Sequence, residues 1–209
     1  MRKLLLATRN SGKAQELLEL FSHIPFELTT LDREEVLLEV QETGETFEQN
    51  AVLKAESYAS AACLLTLADD SGLEVEALDW GPGIFSARYA GEKISDSERV
   101  QYLLGKLKDV PAANRFARFR CVVALADDKG LVKTFEGICE GQISLYPRGE
   151  NGFGYDSVFY LPEDGKTMAE ISAQRKNVLS HRSQAAYKAV QWLMESNLDG
   201  IRGMKNASR

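Results

Sequence analysis

Apolar residues recur along this chain in two rhythms, one belonging to strands and the other to helices. The run Leu4-Leu5-Leu6-Ala7 predicts a short buried strand, and Ala14, Leu17, Leu18 and Phe21 follow at helical spacing. Residues 26–31 and 36–40 read as an extended region, acidic at Glu34, Glu35, Glu39 and Glu42. After a turn at Gln41-Glu42-Thr43-Gly44, Thr46 and Gln49 match the capping box that opens a helix. Phe47, Ala51, Ala55, Tyr58 and Ala62 predict its apolar face. Leu64, Leu65, Leu67 and Ala68 predict a buried strand that stops at Asp69-Asp70-Ser71-Gly72, a turn composition. Leu73, Val75 and Ala77 then alternate with acids as a strand would, and Trp80-Gly81-Pro82-Gly83 breaks the pattern. Residues 84–89 connect to a helix expected over 97–107. Residues 115–126 and 131–137 predict paired strands joined by a hairpin turn at Asp127-Asp128-Lys129-Gly130. Ser180 is placed to cap a last helix carrying Ala186, Ala189, Val190, Leu193 and Met194. No apolar period continues past about residue 197. The expectation is one domain over 1–197 and a loose tail over 198–209.

Composition narrows the classes. The 209 residues, 44% apolar, fit one sizeable domain or two closely joined lobes with a real core. A net charge of −6 without a long basic block argues against a nucleic-acid backbone as the main partner. A small anionic ligand needs only a few local cations and stays open. Cys63, Cys121 and Cys139 are far apart and lack C-x-x-C spacing, against a disulfide framework or a zinc site. They fit buried, reduced thiols in a cytoplasmic protein. His23 and His181 are too few for a His-rich metal centre. Met1-Arg2-Lys3-Leu4-Leu5-Leu6 opens like a signal peptide, but its apolar run falls short of the roughly 7–15 residues needed. Nothing approaches the ~20 apolar residues of a membrane span.

Four stretches carry candidate chemistry. Thr8-Arg9-Asn10-Ser11-Gly12-Lys13 sits between a strand and a helix, where backbone N–H groups, the helix dipole and Lys13 favour an anion. It is not a Walker A sequence, and an ordinary strand-to-helix connection would look similar. Asp69 and Asp70 stand where open α/β sheets place ligands, although Asp, Ser and Gly also make plain solvated turns. Asn50 and Lys54, four apart, share a helix face that is either surface or aimed into the cleft of Asp70. In Asn151-Gly152-Phe153-Gly154-Tyr155-Asp156, glycines around aromatics let a backbone approach a flat ligand, or simply enter a strand. His181 and Arg182 fall in a first helical turn, where the dipole disfavours cations; with Lys176 they hint at a ligand. Together these parts suit a nucleoside triphosphate with Mg²⁺, held by carboxylates such as Glu42 and Asp70, waters and the substrate's phosphates.

The chain resembles the inosine triphosphate pyrophosphatase family. The likeness lies in ATRNSGKAQEL at 7–17, ETGETFEQNAVLKA at 42–55, ADDSGLEVEAL at 68–78, PGIFSARYAG at 82–91, GFGYDSVF at 152–159 and elements within 169–182. It implies Mg²⁺-dependent hydrolysis of the triphosphates of inosine, deoxyinosine and xanthosine to the monophosphate and pyrophosphate. It also implies an elongated two-lobed α/β fold, a central mixed β-sheet flanked by helices, an active site between the lobes, and a homodimer. By motif position, Asp70 would be proton acceptor and metal ligand. Thr8, Arg9, Asn10, Ser11, Gly12, Lys13 and Ser71 would meet phosphates, with Lys54 as an added cation. Phe153, Gly154, Tyr155, Asp156, Lys176, His181 and Arg182 would enclose the base. Gln41 stands where many relatives carry an acid and offers only a neutral oxygen, so that either Glu42 supplies the second metal carboxylate or the metal is held less tightly. Ser157 replaces a common proline. Two other readings compete: an Asp-nucleophile phosphatase, which lacks its D-x-D spacing here, and a silent nucleotide-binding module. The resemblance demands one geometry, in which residues 10–13 and Asp70 face the same cleft.

Overall fold

The structure, a computed structural model, describes residues 1–196. Strands β1 (Arg2–Leu6), β2 (Phe26–Thr30), β3 (Leu65–Val75), β4 (Phe116–Asp127), β5 (Gly130–Ile143), β6 (Phe159–Leu161) and β7 (Lys166–Thr167) form one sheet. Its order is β2-β1-β3-β4-β5-β6-β7. β1 runs parallel to β2 and β3, and the pairs from β3 to β7 are antiparallel. Helices α1 (Ser11–Leu20), α2 (Phe47–Ala62), α3 (Asp96–Lys106), α4 (Ala173–Leu179) and α5 (His181–Glu195) flank it. This is the expected α/β class with a mixed sheet.

Strand alternation decides which helix covers which face. Leu4, Leu6, Leu67, Cys121 and Val123 point to one side, against Leu17 of α1, Phe21 just beyond its end, and Ala185 and Ala189 of α5. Leu5, Ala68, Val122 and Ala124 point to the other, against Phe47, Ala51 and Ala55 of α2. A third cluster joins Leu73, Phe119 and Phe159 to Val100 and Leu103 of α3. Each fully buried Leu or Phe contributes about 1.5–3 kcal/mol relative to exposure, which fixes the register of the sheet and the seating of the helices. The start of α2 is capped largely as its sequence predicts. The Thr46 hydroxyl accepts from Gln49 N–H at 3.1 Å, while the Gln49 side chain accepts from Glu45 N–H at 2.6 Å, one residue earlier than a strict box.

Several expectations are corrected. β3 does not stop at the aspartates: its pairing with β4 runs unbroken from Thr66↔Ala126 to Val75↔Ala117, and this long ladder overrides the local turn composition. The segment expected as a second strand from Leu73 is therefore the end of β3, and Ala77 lies in a 3-10 turn, Glu76–Leu78. Helix α1 begins at Ser11, so half of the expected polar loop is its first turn. Residues 36–40 form no strand; Val36 N–H closes a turn onto the Leu31 carbonyl at 2.9 Å. β5 continues past 137 to Ile143. Cys63 is exposed, whereas Cys121 and Cys139 are buried. The hairpin at 127–130 forms as predicted, with Gly130 at φ +112°. The tail expected over 198–209 lies outside the described residues. Among the described residues, no helix is long and apolar enough to cross a membrane.

Candidate active site

The site grows from one mismatch in strand length. β1 pairs with β3 only as far as Leu6↔Leu67, and Ala7 N–H closes the ladder on the Leu67 carbonyl at 2.7 Å. Beyond that point β3 runs on without its parallel neighbour, and a pocket of ≈ 510 Å³ opens along the edge, lined by both aspartates. Farther on, the Ser86 hydroxyl accepts from Leu73 N–H at 2.8 Å and seals the edge. Gly72 permits this approach, since a Cβ there would lie 2.4 Å from the Gly83 carbonyl oxygen.

Because successive strand residues point to opposite faces, the doublet divides its work. Asp70 faces α2: its Oδ1 accepts from Lys54 Nζ at 3.0 Å and its Oδ2 from Asn50 Nδ2 at 3.3 Å. Lys54 also reaches Glu42 at 2.6 Å, and Arg88 stands 3.6 Å from the other Glu42 oxygen. Burial raises the Asp70 carboxyl above its usual range and, with Glu42 nearby, outweighs the pull of Lys54 and Lys13. For Glu42, burial works upward, but Lys54, Lys13 and Arg88 bring the carboxyl below its ordinary value. Burial would lower Lys54, yet Asp70, Asp69 and Glu42 push it up to about 12. Asp70 and Glu42 both turn carboxylate oxygens to the Lys54 ammonium. Among the described residues no group of three or more His, Cys, Asp or Glu side chains gathers for a metal. Mg²⁺, however, takes only one or two protein carboxylates and completes its shell with water and phosphate, and hard oxygens of this kind fit that demand.

Asp69 faces α1 and α5. Its Oδ2 lies 2.9 Å from Lys13 Nζ and 3.4 Å from Arg182 Nε, while its buried Oδ1 has no partner. Burial alone would raise this carboxyl; Lys13, Arg182 and Lys54 instead hold it well below the usual range. Arg182 also donates to the Ser71 hydroxyl at 2.9 Å and pairs with Glu16. Asn10 caps α1, its Oδ1 accepting from Lys13 N–H at 3.0 Å. The Thr8 hydroxyl accepts from Asn10 N–H at 3.2 Å and shapes the approach.

At the far end, Phe153 lies over Lys176 and Arg182, 4.9 and 5.6 Å from the ring centre. Lys176 pairs with Asp156 at 2.6 Å and Glu16 at 2.8 Å. Burial raises Asp156 despite Lys176. His181 stacks on Phe119 at 4.7 Å, and its buried Nδ1 has no partner. Burial first, then Arg182, Lys176 and Lys13, keep its pKa well below the ordinary value, so the ring is neutral.

Most of the residues singled out from the sequence come together in this pocket, among them Lys13, Lys54, Asp70, Ser71, Gly154, Asp156 and Lys176. Ser11 and Gly12 are not in its wall, and Arg9 and Tyr155, which line it, are tied to other parts of the chain. Arg9 spends one guanidinium nitrogen on the carbonyls of Val36 and Leu38, both at 2.9 Å. Ser11 lines a neighbouring groove instead. Tyr155 is buried and ties its hydroxyl to the Ser86 carbonyl at 2.9 Å. Gly12 meets Phe153 so closely that a Cβ would fall 2.6 Å from its ring. Sequence reasoning passed over Glu16, Asp96 and Phe119, and gave Asp69 only the turn. Its missing signal was alternation: once β3 is continuous, neighbouring aspartates must serve opposite faces.

A helix start with cations on one side, carboxylates on the other and an aromatic clamp beyond define an α/β protein built to hold a phosphorylated, ring-bearing ligand. The Ham1 family model matches residues 4–192, and the chain belongs to that family. A curated dITP/XTP pyrophosphatase from Halalkalibacterium halodurans is 44% identical over 193 residues, covering 92% of this chain and 100% of that protein. One from Desulforamulus reducens is 47% identical over 191 residues, covering 91% and 95%. A solved HAM1 protein from Coxiella burnetii superposes with a TM-score of 0.86 at 40% identity, covering 94% of this chain and all of that one, 100%. The family read from the motifs is thereby borne out.

Proposed function

We propose that this chain hydrolyses non-standard purine nucleoside triphosphates (dITP, XTP and ITP) to the monophosphate and pyrophosphate, clearing damaged purines from the nucleotide pool. The observation that carries the reading is Asp70: a buried carboxylate, raised in pKa, held by Lys54 and Asn50 on the wall of a pocket whose other wall is the α1 start. Relatives 44% and 47% identical over nearly the whole chain are named dITP/XTP pyrophosphatases.

In this mechanism the first-turn amides of α1, Lys13 and Ser71 bind the phosphates, and Lys54 and Arg182 stabilise charge as preorganised cations. Asp70 accepts a proton from water as the water oxygen bonds to the α-phosphorus; the α–β bridging bond breaks in line and pyrophosphate leaves. A carboxyl whose pKa lies above the usual range is a stronger proton acceptor than an exposed one. Mg²⁺, when held by Asp70 and Glu42, would neutralise charge on the leaving pyrophosphate. Each preorganised cation is worth about 10²–10³ in rate.

Selectivity follows from donors near His181 and Arg182 that meet a 6-oxo group. Adenine presents an amino donor there, and donor against donor leaves buried groups unpaired, a strong basis for rejection. A cytoplasmic homodimer with the site between two lobes belongs to the same proposal, resting on the motif resemblance. The test is pyrophosphate release from dITP and dATP with Mg²⁺ and with chelator. We expect dITP to be preferred by at least about 10²-fold in kcat/KM, with activity lost on chelation. Equal rates refute the selectivity, and intact dITP refutes the activity.

A further inference from the structure

Asp96 is the first residue of α3, behind the Ser95 cap, and belongs to none of the motifs singled out from the sequence. Its Oδ2 accepts from Gly154 N–H at 2.6 Å, and Arg99 Nη1 grips the other carboxylate oxygen at 2.6 Å. The carboxylate therefore has a fixed orientation and spans from α3 to the middle of the 151–156 loop. Gly154 is in the left-handed region at φ +62°, as is Gly152 at φ +77°, so the loop has two glycine joints on either side of Phe153. Within the loop, Phe153 N–H donates to Asp156 at 3.0 Å, which fixes one side of the aromatic residue. The contact from Asp96 fixes the other.

Two cavities meet at this contact. The main pocket and a smaller one of ≈ 280 Å³ share Asp96, Phe153, Gly154 and Asp156 in their walls. The loop is thus a partition with space on both sides, and its own glycine joints do not prevent it from receding into the smaller cavity. We propose that Asp96 is a positioning residue: by holding the Gly154 amide it keeps the Phe153 ring over Lys176 and Arg182, where the flat part of the ligand would lie. Asp96 acts on base binding and base choice and leaves the chemistry at Asp70 alone. The kinetic part of this inference rests on the function proposed above; the structural part does not.

Two variants separate reach from charge. Asp96→Ser keeps a residue favoured at helix starts and is too short to reach Gly154. Asp96→Asn loses the charge and keeps one acceptor oxygen for Gly154 N–H, its amide nitrogen then facing Arg99, which retains the Ile94 carbonyl at 3.3 Å as a partner. With dITP, Asp96→Ser is expected to raise KM about tenfold with kcat within about threefold, and to narrow the dITP-to-dATP preference; Asp96→Asn should stay within about threefold of the parent. Hydrogen exchange read on the 151–156 segment should accelerate in Asp96→Ser and stay slow in Asp96→Asn, with or without nucleotide. An unchanged KM in Asp96→Ser, equal losses in both variants, or unchanged exchange in Asp96→Ser would overturn the proposal. A parent protein that leaves dITP intact defeats the functional reading instead, and the exchange comparison still decides whether Asp96 holds the loop.

Discussion

Replacing Asp70 by Asn separates a functional carboxylate from a structural one, because the two predict opposite outcomes for stability. The substitution is nearly isosteric, and Asn50 Nδ2, 3.3 Å from Oδ2, can still find an oxygen there. It weakens one charge-assisted contact, Lys54 to Oδ1 at 3.0 Å, of a kind worth about 1.5–3 kcal/mol. Lys54 keeps Glu42 at 2.6 Å, so the ammonium is not stranded. Against that loss stands the burial of an ionised carboxylate. Asp70 has a folded pKa raised above its usual 3.8, chiefly by burial, so folding favours the protonated form. Its favourable contribution exists below about 3.8 and is lost as pH rises through the folded value; at neutral pH the ionised group costs stability. The two effects nearly cancel, and the variant should stay within about 1 kcal/mol of the parent, or roughly 2–4 °C in Tm for a chain of this size. Catalysis should respond very differently. Loss of a general base typically removes about 10²–10⁴ in rate, so pyrophosphate release from dITP should fall by roughly 10³, or about 4 kcal/mol in barrier. Calorimetry and a coupled pyrophosphate assay on one preparation decide the matter. Activity within tenfold of the parent refutes the role of Asp70, and a Tm loss above about 8 °C makes it a structural residue.

The neighbouring carboxylate predicts the reverse. Asp69→Asn removes the partner of Lys13 at 2.9 Å and of Arg182 at 3.4 Å inside a fully buried site, where breaking an ion pair costs about 3–5 kcal/mol. Glu16 still holds Arg182, which puts the expected loss at the lower end of that range. The folded Asp69 carboxyl lies below its usual 3.8, so its contribution is present above that value and disappears as pH falls below it. Denaturant titration should therefore show a destabilised variant at pH 7 and a gap that narrows in acid; equal stability at pH 7 contradicts the pairing. His181 supplies a second pH signature. Its folded pKa is depressed well below 6.5 by burial and by Arg182, Lys176 and Lys13, so its contribution is full above 6.5 and is lost as pH drops below. His181→Asn should flatten the decline in unfolding free energy between about pH 6.5 and 5.5, and an identical slope in parent and variant counts against a neutral, buried ring.

The parts of this fold that were legible in the sequence are those in which local pattern and tertiary structure agree. Helix α2 carries its apolar face at helical spacing and opens on a Thr that caps it, and the 127–130 hairpin has its Gly at positive φ. The motifs around Lys13, Lys54, Phe153 and Arg182 were recognisable because each mixes residue types that a plain helix or turn does not need. Illegible were the features set by distant partners. Nothing near Asp69-Asp70-Ser71-Gly72 announces that β4 will pair through it, and Asp, Ser and Gly favour the turn that was expected there. Glu16 reads as an ordinary helical acid until α4 and α5 bring Lys176 and Arg182 to it. Asp96 reads as a helix-start acid until the 151–156 loop folds back over it.

The doublet shows why such distant pairing matters to chemistry. Two aspartates joined by one peptide bond acquire opposite environments because a strand alternates: one turns toward Lys13 and Arg182 and is held strongly acidic, the other turns toward Lys54 and Asn50 and is held weakly acidic. Carboxyls pushed apart in this way divide into an anchor that stays charged and a base that can take a proton. A turn at the same place would have exposed both to water and left them alike. The division requires β3 to continue past the end of β1, with β4 supporting its backbone and the other edge open to ligand. The length difference between two neighbouring strands is thus the structural origin of the site: it gives one edge of the sheet two faces and a carboxylate on each.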